Sequence, residues 1–187
     1  MNLKLIIFVF ILPILLCSCS NTSIKTSLKP FNLLDEKKFN YSVYYIGLAL
    51  WGNSEPWSEN DIVDLENILQ NIYSKRNFYS YIFSNRINPS NSKYIPYSKL
   101  GITKTIKKLS NSSKENDIII ISISSHGFPN GLSYKVGMSK SKEILANDIK
   151  ELLQPLEDNN ILMIISACFS GSLIRHLKNN KKIIITA

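Results

Sequence analysis

Residues 161–172 read ILMIISACFSGS. The apolar run Ile161 to Ala167 has the length and β-branched character of a strand rather than a helix, and its near-continuous hydrophobicity suits burial on both faces of a parallel sheet. It stops abruptly at Cys168, and Ser170-Gly171-Ser172 follow. Upstream, IIIISISS from Ile118 is a second such run, ending at His126-Gly127. Between the two lies FPNGLSYKVG, whose Asn130-Gly131 pair predicts a small hairpin or turn beyond the sheet's end. SKEILANDIKELLQPLED then places Ile144, Leu145, Ile149, Leu152 and Leu153 on one helical stripe. Strand, helix, strand is a βαβ unit. Its right-handed crossover makes the two strands parallel and brings both carboxyl ends to one edge of the sheet. That edge carries His126 and Cys168, in the region where open α/β sheets form ligand crevices.

The remaining segments extend the pattern. YSVYYIGLALW, Tyr41 to Trp51, reads as a first strand ending at a GNSEP turn. SEND, Ser58 to Asp61, reads as a capping box before a helix through Ile62, Leu65, Ile68, Leu69 and Ile72. NFYSYIFSN is a second strand, LGITKTIKKL a helix through Ile102, Ile106 and Leu109, and KKIIITA a last strand. The fold class is therefore α/β with a mostly parallel sheet.

With 187 residues, 44% hydrophobic and 19% charged, the chain can bury one ordinary core, and one domain is expected. Abundant Asn, Ser, Ile and Lys give a low-complexity look without repeats. The net charge of +8 comes from scattered lysines, not from a basic face interleaved with aromatics, so nucleic-acid binding is not expected.

The N-terminus, MNLKLIIFVFILPILLCSCS, has an early lysine and an apolar run from Leu5 to Leu16, too short for a membrane span but suited to a secretory signal. Its end, LCSC, resembles the bacterial lipobox, in which a small residue precedes a cysteine that is diacylated. Cys19, after Ser18, fits; a plain signal peptide is the alternative. The expected organisation is a signal peptide over 1–18, a flexible leader over 19–38 and one domain over 39–187. Lipid on Cys19 would anchor the protein in the bacterial cell envelope, facing the extracytoplasmic space, with no transmembrane helix. With Cys17 removed and Cys19 lipidated, Cys168 is the only free thiol, so no disulfide framework exists.

A thiol just beyond a strand, ahead of an expected helix SLIRHL, sits where backbone N–H groups favour thiolate. A histidine leaving the neighbouring strand is a proton-transfer partner. Gly127, lacking a side chain, can turn its N–H into the crevice and form an oxyanion hole with the N–H of Cys168. Taken singly, Cys168 reads as a small buried hydrophobe and His126 and Gly127 as turn residues. Placed at corresponding ends of two strands, they read as a nucleophile site.

SSHG and SACFSGS, each after an apolar strand, resemble the legumain-like cysteine peptidases of family C13, particularly the bacterial lipoprotein-type members. The resemblance runs from about Tyr41 to Ala187. Caspases share His-Gly and Ala-Cys but usually carry Arg-Gly after the cysteine, whereas Ser170-Gly171-Ser172 is the legumain-side form. The resemblance implies a caspase-like three-layer α/β/α sandwich and a His126/Cys168 dyad with no metal or cofactor. It also implies hydrolysis of peptide bonds in a protein or peptide substrate through an acyl-enzyme, or acyl transfer to another amine.

Three departures from the family pattern bear on function. The family's asparagine that orients the histidine has a candidate match in Asn53 of WGNSEP, which reads equally as a turn asparagine. No arginine stands in PWSEND to shape the substrate pocket, and Ser166 replaces an acidic residue two before the nucleophile, so a preference for Asn or Asp is not carried over. Glu59 or Asp61 would favour a basic residue instead, although a capping role also explains Asp61. Family members continue past the ITA strand, whereas this sequence stops at Ala187, so the expectation is either a fragment or a truncated protein; if truncated, the edge near Ile183 to Ile185 would be apolar and prone to pairing. His176 reads as a surface helix residue, and Trp51 and Trp57 as core or turn packing. A catalytically idle binding module of the same fold is the rival from another class. A thiol-reactive peptide probe separates the two.

Overall fold

The chain's β-branched runs become strands and its amphipathic runs helices in an order that alternates along most of the sequence. The computed structural model describes residues 41–51, 56–73, 77–84, 94–134 and 142–187. These lie within a single unit. Asn53, Cys19 and the expected signal and leader segments lie outside the described residues.

The elements are β1 (Val43–Ala49), α1 (Trp57–Tyr73), β2 (Phe78–Ser84), β3 (Ile95–Pro96), α2 (Lys99–Ser112) and β4 (Ile118–Ser124). There follow β5 (His126–Phe128), β6 (Gly131–Tyr134), β7 (Lys142–Leu145), α3 (Ala146–Leu153), β8 (Asn160–Ser166), α4 (Ile174–Leu177) and β9 (Lys182–Thr186). Six strands form one sheet in the order β3-β2-β1-β4-β8-β9, and every pairing in it is parallel. β5, β6 and β7 form a separate antiparallel sheet.

β1 is buried along its whole length, as is β4 from Ile119 onward, which explains why both read as unbroken apolar runs. One face of the sheet, with Ile46, Leu48, Ile121, Ile123, Met163 and Ile165, packs on Ile102, Ile106 and Leu109 of α2 and on Ile149 and Leu153 of α3. The other face carries α1: the Tyr45 hydroxyl donates to the Ile62 carbonyl (2.8 Å), and a side chain on Gly47 would collide with Ile62. Glycine at 47 is what allows the helix to come this close to the sheet. The result is an α/β/α sandwich of three layers with a parallel central sheet.

Two local expectations need correction. Ile144 and Leu145 belong to β7, opposite Leu132 and Gly131, rather than to the helical stripe. The helix starts at Ala146, where the Asp148 carboxylate accepts the Leu145 N–H (3.1 Å). Ser58 is not the cap of α1, which begins one residue earlier at Trp57. Ser58 is fully buried, and its Oγ donates to the Ser124 carbonyl (2.9 Å) and accepts the Trp51 N–H (3.3 Å). The expected turn at Asn130-Gly131 is present: it joins β5 to β6, with Asn130 in the left-handed region at φ 74°.

Candidate active site

β4 and β8 are neighbours in register, Ser124 opposite Ser166, and the ladder runs one residue further as the Ser125 N–H donates to the Ser166 carbonyl (3.1 Å). The residues that leave these two strands are therefore side by side. A Cβ built on Gly127 would overlap the carbonyl oxygen of Cys168 and lie 2.8 Å from its carbonyl carbon and 3.3 Å from the Ala167 Cβ. Only a residue without a side chain permits this contact between the His-Gly segment and the cysteine's own backbone.

The turn bearing Cys168 is braced on the end of β9. The Ala167 N–H donates to the Ala187 carbonyl (3.3 Å), the Ala187 N–H to the Ile165 carbonyl (3.1 Å), and the Ser170 hydroxyl again to the Ala187 carbonyl (3.2 Å). The Cys168 thiol is exposed. Phe169 beside it is 63% exposed and sits in the left-handed region at φ 57°. A bulky residue there is strained, and such strain is concentrated at functional sites. The helix expected to favour thiolate is shorter than the sequence suggested: a 3-10 turn over Ser170–Leu173 and a single α-helical turn, α4. Its dipole is correspondingly small.

His126 is half-buried at the start of β5, paired with Ser133 of β6. Trp51 and Trp57 stand almost perpendicular to its imidazole, with ring centres 4.5 Å and 5.5 Å away and interplanar angles of 85° and 77°. The Trp51 indole N–H donates to the Ser133 carbonyl (3.0 Å). Sequence reasoning assigned both tryptophans to packing. Their position after β1, the strand beside β4, was the available signal.

Of the acidic candidates, Glu59 is 3% exposed in the first turn of α1, so its carboxylate does not line an open pocket. Asp61 is exposed and accepts the Ser124 hydroxyl (2.9 Å), which replaces the capping role read from the sequence. Ser166 is half-buried at the carboxyl end of β8. His126, Gly127, Ser166 and Cys168 thus share one rim of the sheet.

A model of the Peptidase C13 family matches residues 64–187. The chain belongs to the peptidase C13 family. The matched stretch includes His126, Gly127, Ser166 and Cys168, whereas Glu59 and Asn53 precede it. No curated protein matches the chain. Among solved structures, a structural-genomics crystal structure of a protein from Geobacter sulfurreducens is similar at 14% identity, with a TM-score of 0.47. The alignment covers 76% of this chain and 57% of that one. As a C13 family member the chain carries the parallel α/β/α architecture of a cysteine-peptidase family.

Proposed function

We propose that the protein is a cysteine-type endopeptidase in which Cys168 is the nucleophile and His126 its proton-transfer partner. The observation that carries this reading is the contact of Gly127 with the Cys168 backbone, which joins the His-Gly segment to the thiol-bearing turn.

In the proposed reaction His126 holds the proton released from the Cys168 thiol, and the Sγ thiolate attacks the scissile carbonyl carbon. The carbonyl electron pair moves onto oxygen, where the N–H groups of Gly127 and Cys168 are the candidate donors. As the C–N bond breaks, the imidazolium passes its proton to the leaving amine, and a thioester remains on Cys168. Water then attacks that carbonyl while His126 takes its proton. The C–S bond breaks, releasing the acid and regenerating the thiol–imidazole pair.

Incubating the full chain with a peptide library tests the reading. Wild type is expected to cleave, and Cys168→Ala to fold and lose all turnover. Cys168→Ser should retain almost none, because a hydroxyl is the weaker nucleophile without a dedicated base. His126→Ala should lose about 10²–10⁴-fold, the usual contribution of general acid–base catalysis. Cleavage by Cys168→Ala would overturn the assignment. Slow alkylation of Cys168 together with no cleavage would favour a binding module.

For location we propose an acyl anchor on Cys19 in the bacterial envelope, facing outward from the cytoplasm. The lipobox-like LCSC supports it. Radiolabelled palmitate should enter wild type and not Cys19→Ala; equal labelling overturns the anchor.

A further inference from the structure

We propose that Trp51 and Trp57 are positioning residues that set the ring plane of His126 for proton transfer, a role the family resemblance gave to Asn53. The inference rests on His126 being the histidine of the proposed dyad. Two indoles meet one imidazole at 85° and 77° with ring centres 4.5 Å and 5.5 Å away, the near-perpendicular angles and separations of edge-to-face packing. Rotation about the His126 Cβ–Cγ bond would tilt the ring against both neighbours together, so the two contacts select the same plane.

The Trp51 indole is itself fixed to the strand paired with the one that carries the histidine. The Trp51 ring N–H is bound to the Ser133 carbonyl, and Ser133 lies directly across the β5–β6 ladder from His126. The Trp51 backbone N–H is bound to the Ser58 hydroxyl, and that hydroxyl is bound to the Ser124 carbonyl at the end of β4. Trp57 immediately precedes Ser58. One buried hydroxyl therefore ties both tryptophans to the strand end two residues before His126. Trp57 retains 37% exposure, so this contact lies at the solvent-facing side of the fold.

The chain contains 2 tryptophans and 2 histidines, which makes the arrangement readable by fluorescence. An imidazolium in contact with indole quenches its emission. A pH titration of the full chain should show a step in tryptophan emission. The step should vanish in His126→Ala and persist in His176→Ala. The kinetic arm compares wild type with Trp51→Ala, Trp57→Ala and Trp51→Phe. Small misplacements of a catalytic group cost up to about a hundredfold. Each alanine variant should therefore lose about ten- to a hundredfold in kcat with KM nearly unchanged, and Trp51→Phe, which keeps an aromatic ring, should recover most of the loss.

A folded Trp51→Ala with wild-type kcat, a loss confined to KM, or a Trp51→Phe no better than the alanine variant overturns the proposal. An emission step that survives His126→Ala also overturns it. If Trp51→Ala fails to fold, the more exposed Trp57→Ala and the wild-type titration decide by the same criteria. A chain that cleaves no peptide yet shows the His126-dependent step overturns the peptidase reading and leaves the aromatic clamp standing. Cleavage without the step does the reverse.

Discussion

Gly127 has no side chain to place, and the position one would take is already filled by the carbonyl of Cys168. Gly127→Ala must push the two segments apart, an overpacking strain that typically costs about 1–3 kcal/mol. The proposed donors separate with them. Loss of one such donor elsewhere costs about 10²–10³-fold, so kcat/KM should fall by about a hundredfold or more while circular dichroism stays native. Wild-type kinetics in this variant would remove Gly127 from the site. Tyr45 makes a prediction of a different kind. Burial pushes its phenol well above its ordinary value, with a bond from Ser122 opposing and the charges of Glu66 and Asp61 adding. A pKa raised on folding means that the stability is fully present below the unfolded value, near pH ~10, and is lost as pH rises beyond it. Thermal unfolding followed from pH 8 to 11 should therefore show a fall in Tm above about pH 10 that is reduced in Tyr45→Phe. At neutral pH the same variant loses the bond to the Ile62 carbonyl, for about 0.5–1.5 kcal/mol. At this scale the placement of His126, Gly127 and Cys168 past two neighbouring strands was legible because both strands are recognisable in the sequence. The tryptophans were not, since nothing local in WGNSEPW signals a partner beyond β4.

Among the elements, α1 depends on a buried serine at the point where the sequence suggested a surface cap. Ser58→Ala leaves the Trp51 N–H without its oxygen and removes a donor from the Ser124 carbonyl, which also accepts the Leu50 N–H. The expected loss is about 1–3 kcal/mol, seen as a lower urea midpoint at unchanged slope. Ser58→Asp discriminates between the two roles. At a true N-cap aspartate serves as well as serine, whereas here it would bury a carboxylate, so it should destabilise more than alanine. Equal stability of Ser58→Asp and wild type would restore the capping box. The helical stripe that wrongly absorbed β7 has a related cause. Ile144 and Leu145 have the spacing of a helix, and what makes them a strand is their pairing with Leu132 and Gly131, which no local pattern contains. β4 and β8 were legible for the opposite reason. Strands covered on both faces are nearly continuous apolar runs, and their seven-residue length and isoleucine content separate them from a buried helix.

Across the whole molecule, the central sheet joins strands in an order that the chain does not visit in sequence: β1 lies between β2 and β4, and β8 pairs with β4 only after β5, β6, β7 and α3 have intervened. Non-local parallel pairing is slow, so refolding should take milliseconds to seconds or longer, not microseconds. Tryptophan emission and brief pulses of a thiol-alkylating reagent can follow it together. Fast alkylation of Cys168 is expected in the same kinetic phase as the final emission change; fast alkylation in the earliest collapsed species would separate thiol activation from the fold. The rim that carries His126 and Cys168 comes from the ends of β4 and β8, with Trp51 leaving β1 and Ala187 bracing the turn from β9. No fragment of the chain shorter than this span carries all of these parts. A polypeptide still short of β9 therefore lacks the brace beneath the Cys168 turn, so this rim takes its final shape only after the last of these strands has joined the sheet.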